Sequence, residues 1–263
     1  MSVTASVRRF KLTLAYDGTD YAGWQVQPSL PTVQQTLEAV IAGLVGQPVK
    51  VHGSGRTDQG VHARGQVAHF EAATRMDARA MLRACNARLP PDIRVVAATL
   101  ARPGFHARRH AAGKEYRYFV WNDAVMPPER RLYAAHVVQP LELEPMRAAA
   151  RAFAGTHDFA PFSANPRREV ASTVREVYAC TVAKRGHAFF FRVSGSGFLY
   201  RQVRSMVGFL LRVGAGAEPP GAVAALLGDR SPRTARVPSA PPQGLFLWRV
   251  WYAAGGKGSS RGV

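Results

Sequence analysis

At 263 residues the chain is long enough to bury roughly 70–75% of its unfolded surface, in one large domain or two small ones. Its 35 lysines and arginines against 17 aspartates and glutamates give a net charge of +18, so the folded surface attracts polyanions, nucleic acid before anionic membrane. No run approaches the ~18 apolar residues that span a bilayer, and the N-terminus lacks an apolar signal core, so membrane insertion and secretion are not expected. Cys85 and Cys180 lie in apolar-periodic segments, which fits reduced, buried thiols in a cytoplasmic protein better than a disulfide framework or a metal site. Arginine outnumbers lysine. That bias suits phosphate recognition, and a GC-rich genome produces it as well.

Phe10, Leu12, Leu14 and Tyr16 alternate with Lys11, Thr13 and Ala15, the pattern of a strand with one buried face. A turn at Asp17-Gly18-Thr19 and an aromatic segment, Tyr21 to Gln25, come next. Thr32 with Gln35 forms a capping box for a helix that Gly46 and Pro48 stop. The run from Gly53 to Phe70 reads GSGRTDQGVHARGQVAHF, a glycine-rich loop around Asp58 that returns to a strand near Val67. A second helix is expected from Ala78 to Arg88 and a strand from Ile93 to Leu100. The segment from Ala101 to Lys114, with Arg102, Arg108 and Arg109, reads as a basic linker between domains.

The order then recurs. Tyr116 to Trp121 reads as a strand and Pro145 to Ala154 as a helix capped by Gly155; Arg175 to Val182 and Ala188 to Val193 read as strands joined at Lys184-Arg185-Gly186. A helix from Leu199 to Val213 gathers Leu199, Val203, Met206, Val207, Leu210 and Val213 on one side. Arg201, Arg204, Ser205, Gly208 and Arg212 gather on the other, as a solvated face or a phosphate-facing stripe. One short helix near Ala222 to Leu227 precedes a closing strand, Leu245 to Tyr252. Residues 255–263 form a small-residue tail that cannot bury enough to order itself. Each half thus reads as an antiparallel α+β sandwich, as if one unit had been duplicated.

Several chemistries lack their anchors. There is no GxxxxGK[ST] loop and no strand-linked GxGxxG, and neither CxxC pairs nor HExxH accompany His52, His62 and His69, which flank Asp58 in sequence. What is left is one carboxylate beside Arg56 in a basic protein. A nearby guanidinium favours the ionised form of a carboxylate and keeps it available as nucleophile or base. The plain alternative is a glycine-rich turn with a surface ion pair worth about 0–1 kcal/mol.

GRTDQGVHARGQVAHF resembles the signature of the tRNA pseudouridine synthase A family. LAYDGTDYAGWQVQP at 14–28, Lys114-Glu115-Tyr116-Arg117-Tyr118, the run from Phe198 to Gly208 and Gly244-Leu245-Phe246-Leu247 resemble that family's further motifs in order. The resemblance implies an α+β pseudouridine synthase fold of two ferredoxin-like (RRM-like) halves, 1–104 and 105–254, sharing a continuous antiparallel sheet. It further implies a homodimer that isomerises uridines 38 to 40 of the tRNA anticodon arm without cofactor or metal. Residue by residue it makes Asp58 the catalytic aspartate, Arg56 its ion-pair partner and Arg204 a basic residue near it, with Tyr116 packing on the target uracil and Leu245 walling the pocket. Arg201, Arg212, Arg108 and Arg109 are expected to meet phosphates. Gln59 stands where alanine is usual, Ser54 where alanine is frequent and Arg64 at a variable place; Gln59 and Arg64 bear on how the loop meets RNA.

Isomerisation breaks the N1 glycosidic bond, turns the uracil and joins C5 to C1′, which consumes no outside group. Attack by the aspartate at C1′, addition to C6 and removal of the 2′ proton are all open first steps at this point, and so is the base that takes the C5 proton. Two rivals carry different expectations. A non-catalytic RNA-binding protein of two sheet modules would use the same charge and aromatics, and a metal-dependent nuclease would use the histidines.

Overall fold

The computed structural model describes residues 6–164, 171–229 and 232–253, so the tail at 255–263 lies outside the described residues. The N-terminal half contains β1 (Val7–Tyr16), α1 (Val33–Val45), β2 (His52–Gly53), β3 (His62–Ala73), α2 (Ala78–Arg88) and β4 (Ile93–Leu100). Local chemistry sets these bounds. Thr32 Oγ1 accepts from Gln35 N at 3.3 Å to start α1, and Gly46 at φ +70° ends it. Asp77 caps α2 through Ala80 N at 2.7 Å.

The C-terminal half contains β5 (Ala111–Asn122), β6 (Ala135–Val137), α3 (Leu143–Arg151), β7 (Gly155–Asp158), β8 (Val174–Arg185), β9 (Ala188–Gly195), α4 (Gln202–Gly214), α5 (Ala222–Asp229) and β10 (Leu245–Tyr252). All strands join one sheet in the order β4-β1-β3-β10-β5-β9-β8-β7, with β2 on β3 and β6 on β5. The duplication read from element order is also spatial. Taking β1, β2, β3, β4 and then β5, β8, β9, β10 as strands one to four, each half has the order four-one-three-two. The pairing is antiparallel except at two seams. β10 runs antiparallel to β5 and parallel to β3, through Phe246 opposite His62 and Leu247 opposite Ala63, and β6 runs parallel to β5.

Three expectations need correction. The basic linker is shorter than its composition suggests, because Ala111 to Lys114 already pair in β5. Helix α3 starts at Leu143, with Pro145 inside its first turn where a missing N–H is tolerated, and stops at Arg151; Gly155 at φ +112° opens β7 instead of capping the helix. Helix α4 starts at Gln202, because Arg201 has a left-handed backbone at φ +56°.

The alternation on β1 buries Phe10, Leu12, Leu14 and Tyr16, and on β5 it buries Tyr116, Tyr118 and Val120 while Phe119 and Trp121 point the other way. The polar face of α4 is covered only in part: Arg204, Ser205 and Gly208 are buried while Arg201 is exposed. Pro238 to Ala240 lies across it: Ala240 N donates to Arg204 O at 2.9 Å, and a Cβ on Gly208 would stand 2.2 Å from the Pro238 carbonyl. Only glycine lets the strap approach this closely.

Candidate active site

Asp58 rides on the loop between β2 and β3, and the loop is stapled from several sides. The Ser54 hydroxyl donates to Gln66 Oε1 at 2.6 Å, and Gln66 Nε2 donates to the Gly55 carbonyl at 2.8 Å. Thr57 is gripped twice: its hydroxyl shares a 2.8 Å hydrogen bond with the Tyr16 hydroxyl, and its carbonyl accepts from Trp24 N at 3.1 Å. Gly23, at φ +98°, makes that approach possible, since a Cβ there would lie 2.5 Å from the Thr57 oxygen. From the C-terminal half, Lys114 Nζ donates to the Ser54 carbonyl at 2.7 Å.

The carboxylate's guanidinium partners come from the far end of the chain. Arg204 Nη1 donates to Asp58 Oδ2 at 3.0 Å, and Arg201 Nε stands 4.0 Å from the same oxygen. Arg204 is itself fixed by donating from Nε to the Ala240 carbonyl at 2.8 Å. Arg56, expected as the ion-pair partner, is exposed and donates from Nε to Gln25 Oε1 at 3.1 Å. Arg204 reaches the acid because α4 crosses the loop.

Tyr116 is 8% exposed and meets Phe198 edge to face at 5.4 Å between ring centroids. Burial pushes its phenol well above the ordinary value, and the nearby Tyr16 and Asp58 add to this, so the ring stays neutral beside the acid. Leu245 is buried on β10 in register with Tyr118, and Leu247 stands opposite Tyr116.

The expected RNA-contacting arginines separate. Arg108 and Arg109 are exposed, on a turn whose N–H groups donate to His106 Nδ1 at 3.1 and 3.3 Å. Arg201 belongs to the carboxylate. Arg212 is drawn to Glu218 at 3.4 Å, where Arg236 at 2.6 Å and then Arg212 hold the carboxyl below its ordinary range. Arg64 stacks on Trp248 at 4.8 Å, away from the loop.

The three histidines do not gather at Asp58. His62 is buried against Phe246 at 4.6 Å, and its Nδ1 accepts from Gly18 N at 3.0 Å. His52 and His69 stack on each other at 5.0 Å beside His106. Among the described residues no three His, Cys, Asp or Glu side chains converge as a metal site would need, and no helix is long and apolar enough to cross a membrane.

Sequence reading missed Lys114 as part of the site, along with the Pro238 to Ala240 strap. Alternation on β5 places Lys114 on the same face as Tyr116, a signal that its inclusion in a linker hid.

The family described as tRNA pseudouridine synthase matches residues 13–108 and 149–253. A protein of Exiguobacterium sp. (strain ATCC BAA-1283 / AT1b) named tRNA pseudouridine synthase A is 47% identical over 94% of this chain and 98% of its own length. Proteins of the same name from Geotalea uraniireducens and Myxococcus xanthus are 45% and 43% identical, each over 94% of this chain and over 100% and 93% of their own lengths. Among solved structures, a crystal structure of the archaeal box H/ACA sRNP Nop10-Cbf5 complex is 17% identical at a TM-score of 0.32, covering 77% of this chain and 44% of that one. With the family matched over most of the chain and relatives above 40% identity over 94% of it, the chain belongs to the tRNA pseudouridine synthase family.

Proposed function

We propose that this chain isomerises uridine to pseudouridine at positions 38 to 40 of the tRNA anticodon arm, in the cytoplasm, with Asp58 as the catalytic carboxylate and no metal or cofactor. The observation that carries the assignment is the pairing of Asp58 with Arg204 and Arg201 beside the buried ring of Tyr116. Both guanidiniums engage Oδ2, and we assign the chemistry to Oδ1. The target base leaves its stack at a cost of a few kcal/mol and lies on Tyr116, with Leu245 in the wall of the pocket. Exclusion of water protects the detached sugar from capture while the uracil turns and C5 takes the place of N1.

In this reading the halves 1–104 and 105–254 each supply one wall. The first brings the carboxylate loop; the second brings Tyr116, Arg201, Arg204 and Leu245. A non-catalytic RNA-binding module has no use for two arginines committed to one acid, since both are then withdrawn from phosphate. The chain acts as a homodimer. Supporting a second copy is the face of the sheet opposite Asp58, where a groove of about 740 Å³ is lined by Phe119, Phe190, Phe246, Trp248 and Tyr133.

Positional mapping of pseudouridine in tRNA transcripts, with wild-type protein and Asp58→Ala, tests the catalytic assignment. Product at 38 to 40 is expected from the wild type alone, with tRNA affinity of the variant within about ten-fold. Turnover by Asp58→Ala would remove the acid from the mechanism, and sedimentation as a monomer at working concentration would remove the dimer.

A further inference from the structure

Lys114 stands two residues before Tyr116 on β5, so the two side chains share one face of the strand. Its Nζ donates to the Ser54 carbonyl at 2.7 Å and sits under Gly55, where even a methyl would come within 2.8 Å of it. The neighbouring backbone groups of this loop are held from the N-terminal half: Ser54 N donates to the Val67 carbonyl at 2.7 Å, and Gln66 takes the Gly55 carbonyl. The lysine is therefore the tether that reaches the backbone of the loop from the strand bearing the aromatic ring.

We propose that Lys114 is a positioning residue for the isomerisation: its ammonium fixes the loop that carries Asp58 against β5, and so sets the carboxylate's distance from a base lying on Tyr116. The inference rests on the reading of Asp58 as the reacting acid. An error of an ångström in such a distance costs on the order of 100-fold in rate, and Lys114 is the bond by which β5 itself holds the loop. Burial, with Arg108 second, lowers the ammonium to about 8, so holding a charge here costs stability that the charge-assisted bond to the carbonyl offsets only in part. Ser54 and Gly55 meet the amine from the loop, and Val250 of β10 and Gly195 of β9 flank Lys114 in register. None of these titrates, and among the described residues the charge acting on it is Arg108.

The test compares kcat and KM for tRNA, melting temperature, and the pH profile of kcat, in wild type, Lys114→Met and Lys114→Arg, with Asp58→Ala alongside. Lys114→Met is expected to lower kcat about 10–100-fold with KM within about three-fold, and Lys114→Arg to return kcat to within about five-fold of wild type. Wild-type kcat should decline as pH rises through about 8, and that alkaline limb should vanish in Lys114→Arg, whose guanidinium stays charged. Because the limb is read from wild type and Lys114→Arg, it decides the matter even where Lys114→Met fails to fold. Wild-type kcat in Lys114→Met, or an alkaline limb unmoved by Lys114→Arg, overturns the role of Lys114 while Asp58→Ala stays inactive. Turnover by Asp58→Ala overturns instead the reading of the acid beneath it.

Discussion

Arg204 joins the two halves of the sheet at Asp58, donating from Nη1 to the carboxylate at 3.0 Å and from Nε to the Ala240 carbonyl at 2.8 Å. The guanidinium is a planar fork whose separate N–H groups serve two acceptors at once, and an ammonium on a flexible stem cannot reproduce both directions. Arg204→Lys is expected to keep the fold and lose about 100-fold or more in kcat, because the acid is no longer fixed. Arg204→Ala leaves a largely buried carboxylate short of its main partner and should also lower stability, by about 2–4 kcal/mol. Single-turnover rates and urea midpoints check both variants. Wild-type kcat in Arg204→Lys would mean that charge alone suffices.

Arg201 turns the chain into α4 with φ +56° and brings its own guanidinium to 4.0 Å from the same oxygen. The left-handed backbone costs an L-residue about 1–2 kcal/mol that glycine does not incur. Arg201→Gly relieves the strain and deletes the cation, so its melting temperature should hold or rise while turnover falls. A melting temperature that drops together with turnover would instead make Arg201 a structural residue.

These two arginines also show what a sequence does and does not disclose. The bounds of α1 and α2 were legible because their causes are local: a Thr32 cap, and an Ala78 to Arg88 span closed by two prolines. A helical wheel set Arg201 and Arg204 apart from the apolar side, but Arg201 lies before the first turn of α4, and the wheel could not say what covers the polar side. That depends on the Pro238 to Ala240 strap, more than thirty residues away and irregular in pattern. The Asp58 loop stood out in the sequence as a candidate through its glycines. Arg204 beside it came from the family resemblance and not from spacing, because the two residues are 146 positions apart and meet only in space.

Tyr116 separates ring from hydroxyl. The ring is buried against Phe198 and its phenol stays protonated, so in the proposed reaction stacking is what it offers the displaced base. Tyr116→Phe should keep kcat within about three-fold, and Tyr116→Ala, which removes the stacking surface, should lose about 1–3 kcal/mol of binding to the reacting base. A large loss in Tyr116→Phe would assign the hydroxyl a part in the chemistry.

The basic surface should divide by what each arginine already touches. Arg108 and Arg109 are exposed on the turn beside β5, whereas Arg212 is tied to Glu218. Replacing Arg108 or Arg109 by alanine should lower the slope of log affinity against log salt by about 0.7–0.9, the signature of one lost phosphate contact. Arg212→Ala should leave the slope alone. Filter binding over a salt series measures all three, and equal slopes throughout would return the turn to an ordinary solvated surface.

His69 sets a pH limit on the same turn. Its Nδ1 accepts from Ala107 N at 3.2 Å, and burial first, then His106, His52 and Arg9, pull its pKa from 6.5 to about 4. The folded protein thus excludes a proton that the unfolded chain takes up below 6.5, so stability rises with pH between about 4 and 6.5 and is lost as pH falls through that window. His106, lowered by burial and by Arg109, acts in the same sense, since protonation at Nδ1 would expel the Arg108 and Arg109 N–H groups it accepts. His69→Gln keeps an acceptor for Ala107 N and cannot titrate. Urea midpoints at about pH 7.5 and about pH 5 should therefore fall less in His69→Gln than in wild type. An equal fall in both proteins would place the acid sensitivity elsewhere than in this histidine group.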